Sequence, residues 1–253
     1  MNEPYGSLVM ARIEDEPALV LHTRPYRESS VLVDLLTPHH GRVACLLKGG
    51  RNRLPVFSTF HATWYGGREL VTLATPNDVR SQWLQGEATS AGLYMNELII
   101  RLVREREPLP ELFAITCWGL SEFAQGSDLR PVLRSFEKLL LESLGYGLNY
   151  ASELHGGAAI EADHWYRMVD AHGFVCAANP ALTPQEVTRG FAYSGEQLLF
   201  SGRLLQNIAD ERFELGAVNA AAKRLFRRAL APLLGDRPLK SRELLSGFKE
   251  QAE

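Results

Sequence analysis

Between positions 18 and 75 apolar and polar residues alternate in short runs separated by turn residues, and a period of two predicts strands. Five are expected, over residues 18–23, 30–37, 42–48, 59–65 and 69–75. In the second, Val31, Val33 and Leu35 alternate with Leu32, Asp34 and Leu36, so at least one face is apolar throughout. Pro38-His39-His40-Gly41 is expected to turn the chain into the third strand. Gly66-Gly67 is expected to make a two-residue hairpin turn, because Gly tolerates the positive φ such turns need. Five strands in about 60 residues favour a small OB-type β-barrel.

Beyond Pro76 the spacing becomes helical. Leu93, Leu98, Ile99, Leu102 and Val103 mark one amphipathic helix, with Glu97 and Arg101 as an i,i+4 pair. A second is expected over 111–124. A third is expected over 129–144, with Leu133, Phe136, Leu140 and Leu144 as its stripe and Gly145 as its stop. Residues 165–169 and 173–176 read as a short β-hairpin. Thr183-Pro184-Gln185-Glu186 and Ser194-x-x-Gln197 read as capping boxes that open helices, and the last helices are expected over 217–234 and 241–248. The expected class is α+β multidomain: a five-stranded OB-type β-barrel within residues 1–83, then a mainly α-helical domain over 84–253. A small non-helical subregion without zinc ligands, containing the hairpin, is embedded at 150–180.

Composition narrows the function. No apolar run approaches the roughly 18 to 20 residues of a membrane span, and the acidic residues at 14–16 do not resemble a secretory signal, so a cytoplasmic protein is expected. Cys45, Cys117 and Cys176 form no C-x-x-C pair and are expected as free thiols, with no metal. The net charge of −3 is unevenly spread. Residues 17–85 hold eight Lys/Arg against four acids, and 223–242 hold seven against Asp236 alone. Two basic islands in an acidic chain suit local phosphate contact.

No catalytic constellation stands out in the sequence. His39 and His40 are adjacent, so on a strand they point to opposite sides. Lys48-Gly49-Gly50-Arg51 is too short for a nucleotide-phosphate loop and lacks its hydroxyl. The chain is therefore expected not to be an enzyme. Three cations and two glycines within residues 48–53 let backbone amides and basic side chains approach a phosphodiester chain together. The candidate DNA contacts are Arg24, Tyr26, Arg27, Arg42, Lys48, Arg51, Arg53 and Arg68, with Tyr26 the stacking residue because it lies between Arg24 and Arg27. Lys240 and Arg242 flank Ser241 at an expected helix start, where cations make sense if they meet an anion.

An ordered set of segments carries a resemblance across almost the whole chain. It comprises Val20-Leu21-His22-Thr23-Arg24-Pro25 with Glu28-Ser29-Ser30, the run 37–48 around Gly41-Arg42-Val43, and Gly49-Gly50-Arg51. It continues through Gly92-Leu93-Tyr94-Met95-Asn96-Glu97-Leu98, Arg134-Ser135-Phe136-Glu137, Leu144-Gly145-Tyr146-Gly147-Leu148-Asn149 and Leu239-Lys240-Ser241-Arg242-Glu243-Leu244. The chain resembles the RecO family of bacterial recombination mediators, which work with RecF and RecR. The resemblance implies an N-terminal OB-fold, a helical C-terminal domain and no catalytic residues. It further implies binding of single- and double-stranded DNA, strand annealing, recognition of the C-terminal tail of single-strand-binding protein, association with RecR and help in loading RecA. Some members carry a four-cysteine zinc module, but only Cys176 stands in the corresponding stretch here, so zinc is not carried over. The tail is expected to meet an apolar groove at Leu133 and Phe136 rimmed by Arg134 and, more weakly, Arg101. Two alternatives stay open: an enzyme whose site is assembled from distant residues, and an RNA- or ribosome-associated OB protein.

Overall fold

A computed structural model describes residues 12–49, 54–67, 70–169, 172–178, 180–195 and 197–241. They form two compact units, 1–124 and 125–253.

The first unit is built on β1 (Arg12–Tyr26), β2 (Ser30–Thr37), β3 (Gly41–Lys48), β4 (Ser58–Gly66), β5 (Val71–Leu73) and β6 (Arg80–Ser81). The order is β1-β2-β3-β5-β4-β6, and β1 also pairs with β4, which closes five strands into a barrel with β6 appended to β4. Among the described strands of this sheet, β3 and β5 pair in parallel and the other pairings are antiparallel. Strand β1 is long enough to serve both neighbours: residues 12–19 pair with β4 and residues 19–26 with β2. Register shifts between Ile13 and Glu16 and between Val20 and His22 let it bend between those tasks. Its polar opening and two prolines hid this length from the alternation pattern.

Inside the barrel the period of two is plain. Val31, Val33 and Leu35 meet Val43, Cys45, Leu47 and the Phe60, Ala62, Trp64 face of β4, all buried. Each such side chain contributes roughly 1.5–3 kcal/mol relative to exposure. Gly66-Gly67 do not make the expected two-residue turn. Gly66 still pairs with Val71, so the connection spans residues 67–70.

Helices α1 (Glu87–Leu102) and α2 (Pro110–Ala124) cluster with the barrel in one compact unit. The reason is physical. Leu19, Leu21 and Leu36 are buried although they are not part of the interior cluster. Strands β1 and β2 contact α1 and α2 respectively, and Asn96 of α1 donates to the Leu21 carbonyl at 2.8 Å. Gly41 belongs to the same junction: its φ is +63°, and a Cβ there would strike the Glu107 carbonyl.

The turn before Gly41 is held by Glu16, which is buried. The His39 amide donates to Glu16 Oε1 at 3.0 Å, His39 Nδ1 lies 3.1 Å from Oε2, and His40 Nδ1 lies 3.4 Å from Oε1. Burial pushes the carboxyl up, but the bonds from His39 and His40 outweigh it and hold Glu16 below its ordinary value. A depressed carboxylate stabilises the fold when ionised. Its contribution is therefore whole at neutral pH and is lost as pH falls through the depressed value. Glu16→Gln is expected to cost about 1–3 kcal/mol at pH 7. The melting curves of the two proteins should draw together only as pH is taken below the ordinary carboxylate value of about 4.3, and a gap that does not narrow there would contradict this account.

The second unit packs α3 (Leu129–Ser143), α5 (Gly202–Ala209) and α6 (Gly216–Leu234) with a sheet of β7 (Trp165–Val169), β8 (Gly173–Cys176), β9 (Phe191–Ser194) and β10 (Gln197–Ser201). Its order is β8-β7-β10-β9, so the expected hairpin is half of a four-stranded sheet. Thr183 caps α4 (Pro184–Arg189) with both halves of the capping box in place. Ser194 does not open a helix. Gly195, with φ +59°, turns β9 into β10 instead, and α5 begins at the Ser201 cap. The expected helix 241–248 lies almost wholly outside the described residues.

Candidate nucleic-acid interface

Register brings the candidate residues of the barrel together. Tyr26 pairs with Ser30, and Ser30 pairs with Lys48, so the ends of β1, β2 and β3 form one row. Arg24 lies one outward-facing position further in, opposite Leu32, which itself pairs with Leu46. Leu32 and Leu46 are half-buried, while Arg24, Arg27 and Lys48 are exposed. The Arg27 guanidinium lies 5.2 Å from the Tyr26 ring centroid and orients that half-buried ring at the barrel's edge. Three cations, an aromatic face and an apolar step therefore share one rim, with Glu28 the acid in the same turn. Gly49, φ +85°, leads from Lys48 into the basic loop. Arg51 and Arg53 of that loop, and Arg68, lie outside the described residues.

Arg42 is not part of this rim. Its guanidinium lies 3.7 Å from Asp34 and 3.3 Å from Glu105, and its Nε donates to the Val103 carbonyl at 3.3 Å. The Arg42 backbone carbonyl accepts from the Arg106 amide at 3.0 Å. This arginine fastens β3 to the segment after α1 and is occupied by protein acceptors rather than presented to phosphate.

The expected tail groove is also rearranged. Arg134 and Glu137 are both buried: Arg134 Nη2 donates to Glu137 Oε1 at 2.9 Å, and Nε lies 2.9 Å from Oε2 without the alignment of a hydrogen bond. Phe136 is wholly buried, whereas Leu133 is only half so. The packed face of α3 is Val132, Phe136, Leu140 and Leu141, rotated from the expected stripe because Arg134 and Glu137 go inward as a pair. Arg101 lies on α1 in the other compact unit, 3.9 Å from Glu97. At the C-terminal motif, Leu239 and Ser241 are buried and Lys240 is exposed, while Arg242 lies outside the described residues.

Three surface aromatics lie outside the candidates the sequence pattern marks, namely Trp83, Trp118 and Tyr193. Trp83 is 78% exposed between β6 and α1, and Trp118 is 46% exposed on α2. Trp83 follows polar Gln82 in a segment without periodicity, which was the only signal it gave.

Among the described residues no cluster of three or more His, Cys, Asp or Glu is arranged to hold a metal ion. Burial pushes the thiols of Cys45 and Cys117 up to about 12, the opposite of an activated nucleophile. No helix among the described residues is long and apolar enough to cross a membrane.

Comparison with known proteins agrees along the chain. The family model for the recombination protein O N terminal matches residues 10–81, and that for the recombination protein O C terminal matches residues 84–243. A protein named DNA repair protein RecO from Stutzerimonas stutzeri (strain A1501) is 38% identical over 240 residues, covering 93% of this chain and 94% of that one. One of the same name from Cellvibrio japonicus (strain Ueda107) is 36% identical, covering 93% and 98%. Another, from Pseudomonas aeruginosa (strain LESB58), is 40% identical, covering 91% and 94%.

Proposed function

The chain belongs to the RecO family of DNA repair proteins, and from that premise we propose that it is a non-enzymatic, DNA-binding recombination mediator. In this reading it binds single- and double-stranded DNA and anneals complementary strands. It also engages the tail of single-strand-binding protein and RecR, and so assists RecA loading at the nucleoid. The observation that carries the DNA-binding part is the barrel rim, where Tyr26 and Lys48 are joined through Ser30 and flanked by Arg24 and Arg27. Exposed cations supply sequence-independent attraction to phosphates, and an aromatic ring stacks on any unpaired base. Neither interaction needs a metal or a nucleotide.

The test is annealing of complementary oligonucleotides in chelator and without ATP. The rate is expected to match that in untreated buffer. Dependence on added metal or nucleotide would sink the non-enzymatic reading, and tighter binding of an equal-length RNA would favour an RNA-associated role.

A further inference from the structure

The second compact unit carries a basic cleft that the reading above leaves unused. It has a volume of about 560 Å³ and is lined by Lys223, Arg224, Arg227 and Arg228 of α6, with Tyr193 of β9 and Leu198 of β10. Lys223, Arg227 and Arg228 are exposed. Arg224 is fixed, with its guanidinium 4.5 Å from the Phe191 ring centroid and Nη1 donating to the Ala220 carbonyl at 2.8 Å. The same ring holds Arg189 at 4.6 Å.

An ordinary solvated helix face would interleave these cations with carboxylates one turn away. Helix α6 contains no Asp or Glu in its 19 residues, and Lys223 with Arg227, and Arg224 with Arg228, are like-charge i,i+4 pairs, which weaken a helix. Among the described residues no carboxylate pairs with Arg227 or Arg228. The arrangement is relieved by an anion that runs along two helical turns. Tyr193, 56% exposed, offers an aromatic face beside them. An acidic peptide ending in a hydrophobic residue would need an apolar pocket, but four of the seven lining residues are cations and Leu198 is itself buried. The chemistry fits a sugar-phosphate backbone.

We propose that this cleft is a second strand-binding surface, taking single-stranded nucleic acid with phosphates along α6 and a base against Tyr193. It rests on the DNA-binding reading and deepens it. One chain then has a strand site in each compact unit, which is what bringing two strands together demands.

The experiment uses the full chain, a labelled 30-nucleotide oligothymidylate and the variant Lys223→Ala/Arg227→Ala/Arg228→Ala. Removing three phosphate-binding cations should reduce the slope of log affinity against log salt by about 2, and affinity at moderate salt roughly tenfold. Arg227→Lys/Arg228→Lys, which keeps the charge, should retain the slope and so separates charge from folding. Photocrosslinking of 4-thiothymidine in the same oligonucleotide should mark peptides containing Tyr193 or α6. If the wild type binds but the triple variant keeps its affinity, slope and crosslinks, the proposal is overturned while the barrel reading stands. Loss of an acidic peptide from the variant with oligothymidylate binding intact would likewise overturn it. A wild type that binds no DNA would remove both readings.

Discussion

Replacing Arg24, Arg27 and Lys48 together with alanine is expected to weaken single-stranded DNA binding roughly tenfold or more at moderate salt, across unrelated sequences. All three are exposed on one rim of the barrel, so their removal should leave the interior packing untouched. Each phosphate neutralised on a single strand accounts for about 0.7 of the salt slope, so the triple variant should show a slope shallower by about 2. Arg42→Ala is the informative contrast. That side chain is engaged by Asp34, Glu105 and the Val103 carbonyl, so its loss should lower the melting temperature and leave the salt slope unchanged. Equilibrium titrations at several salt concentrations check both. An unchanged slope in the triple variant would take the rim out of the interface, and a reduced slope in Arg42→Ala would return that residue to it.

The two arginines show what the sequence could and could not reveal. Arg24 and Arg42 look alike in composition, each a cation in a strand of a basic segment. What separates them is a partner more than 60 residues away, Glu105, brought beside β3 only by folding. The rim depended in the same way on register: Tyr26 and Lys48 are 22 positions apart, and Ser30 joins them only because β2 lies between β1 and β3. Alternation was enough to place β2 at its observed bounds of Ser30–Thr37, since one face is buried along the strand. The capping box was legible at Thr183, where Pro184 also fixes φ for a helix start. The same spacing misled at Ser194, because Gly195 reverses the chain and β10 pairs back onto β9. Side-chain spacing describes a cap only once the backbone between is helical.

Arg134→Ala is expected to lower stability sharply rather than to remove one binding partner. The segment Arg134-Ser135-Phe136-Glu137 places the arginine and the glutamate at i,i+3, both about 5% exposed, around a phenylalanine that is wholly buried. Such a pair gives little net stability over apolar residues of like size, because two charges were taken from water to make it. Removing one member is different. Glu137 would remain buried opposite a cavity, at a cost of about 3–5 kcal/mol, which corresponds to a fall of roughly 10 °C or more in melting temperature. The double variant Arg134→Met/Glu137→Leu removes both charges of the pair together and should recover most of that loss. An arginine exposed at a groove's rim predicts the opposite pattern, namely normal melting with selective loss of an acidic tail peptide. Thermal melts of the single and double variants, with peptide and DNA titrations in parallel, decide between them. If Arg134→Ala melts like the wild type and only the peptide is lost, the arginine reaches solvent, and the buried pair is not how α3 is held.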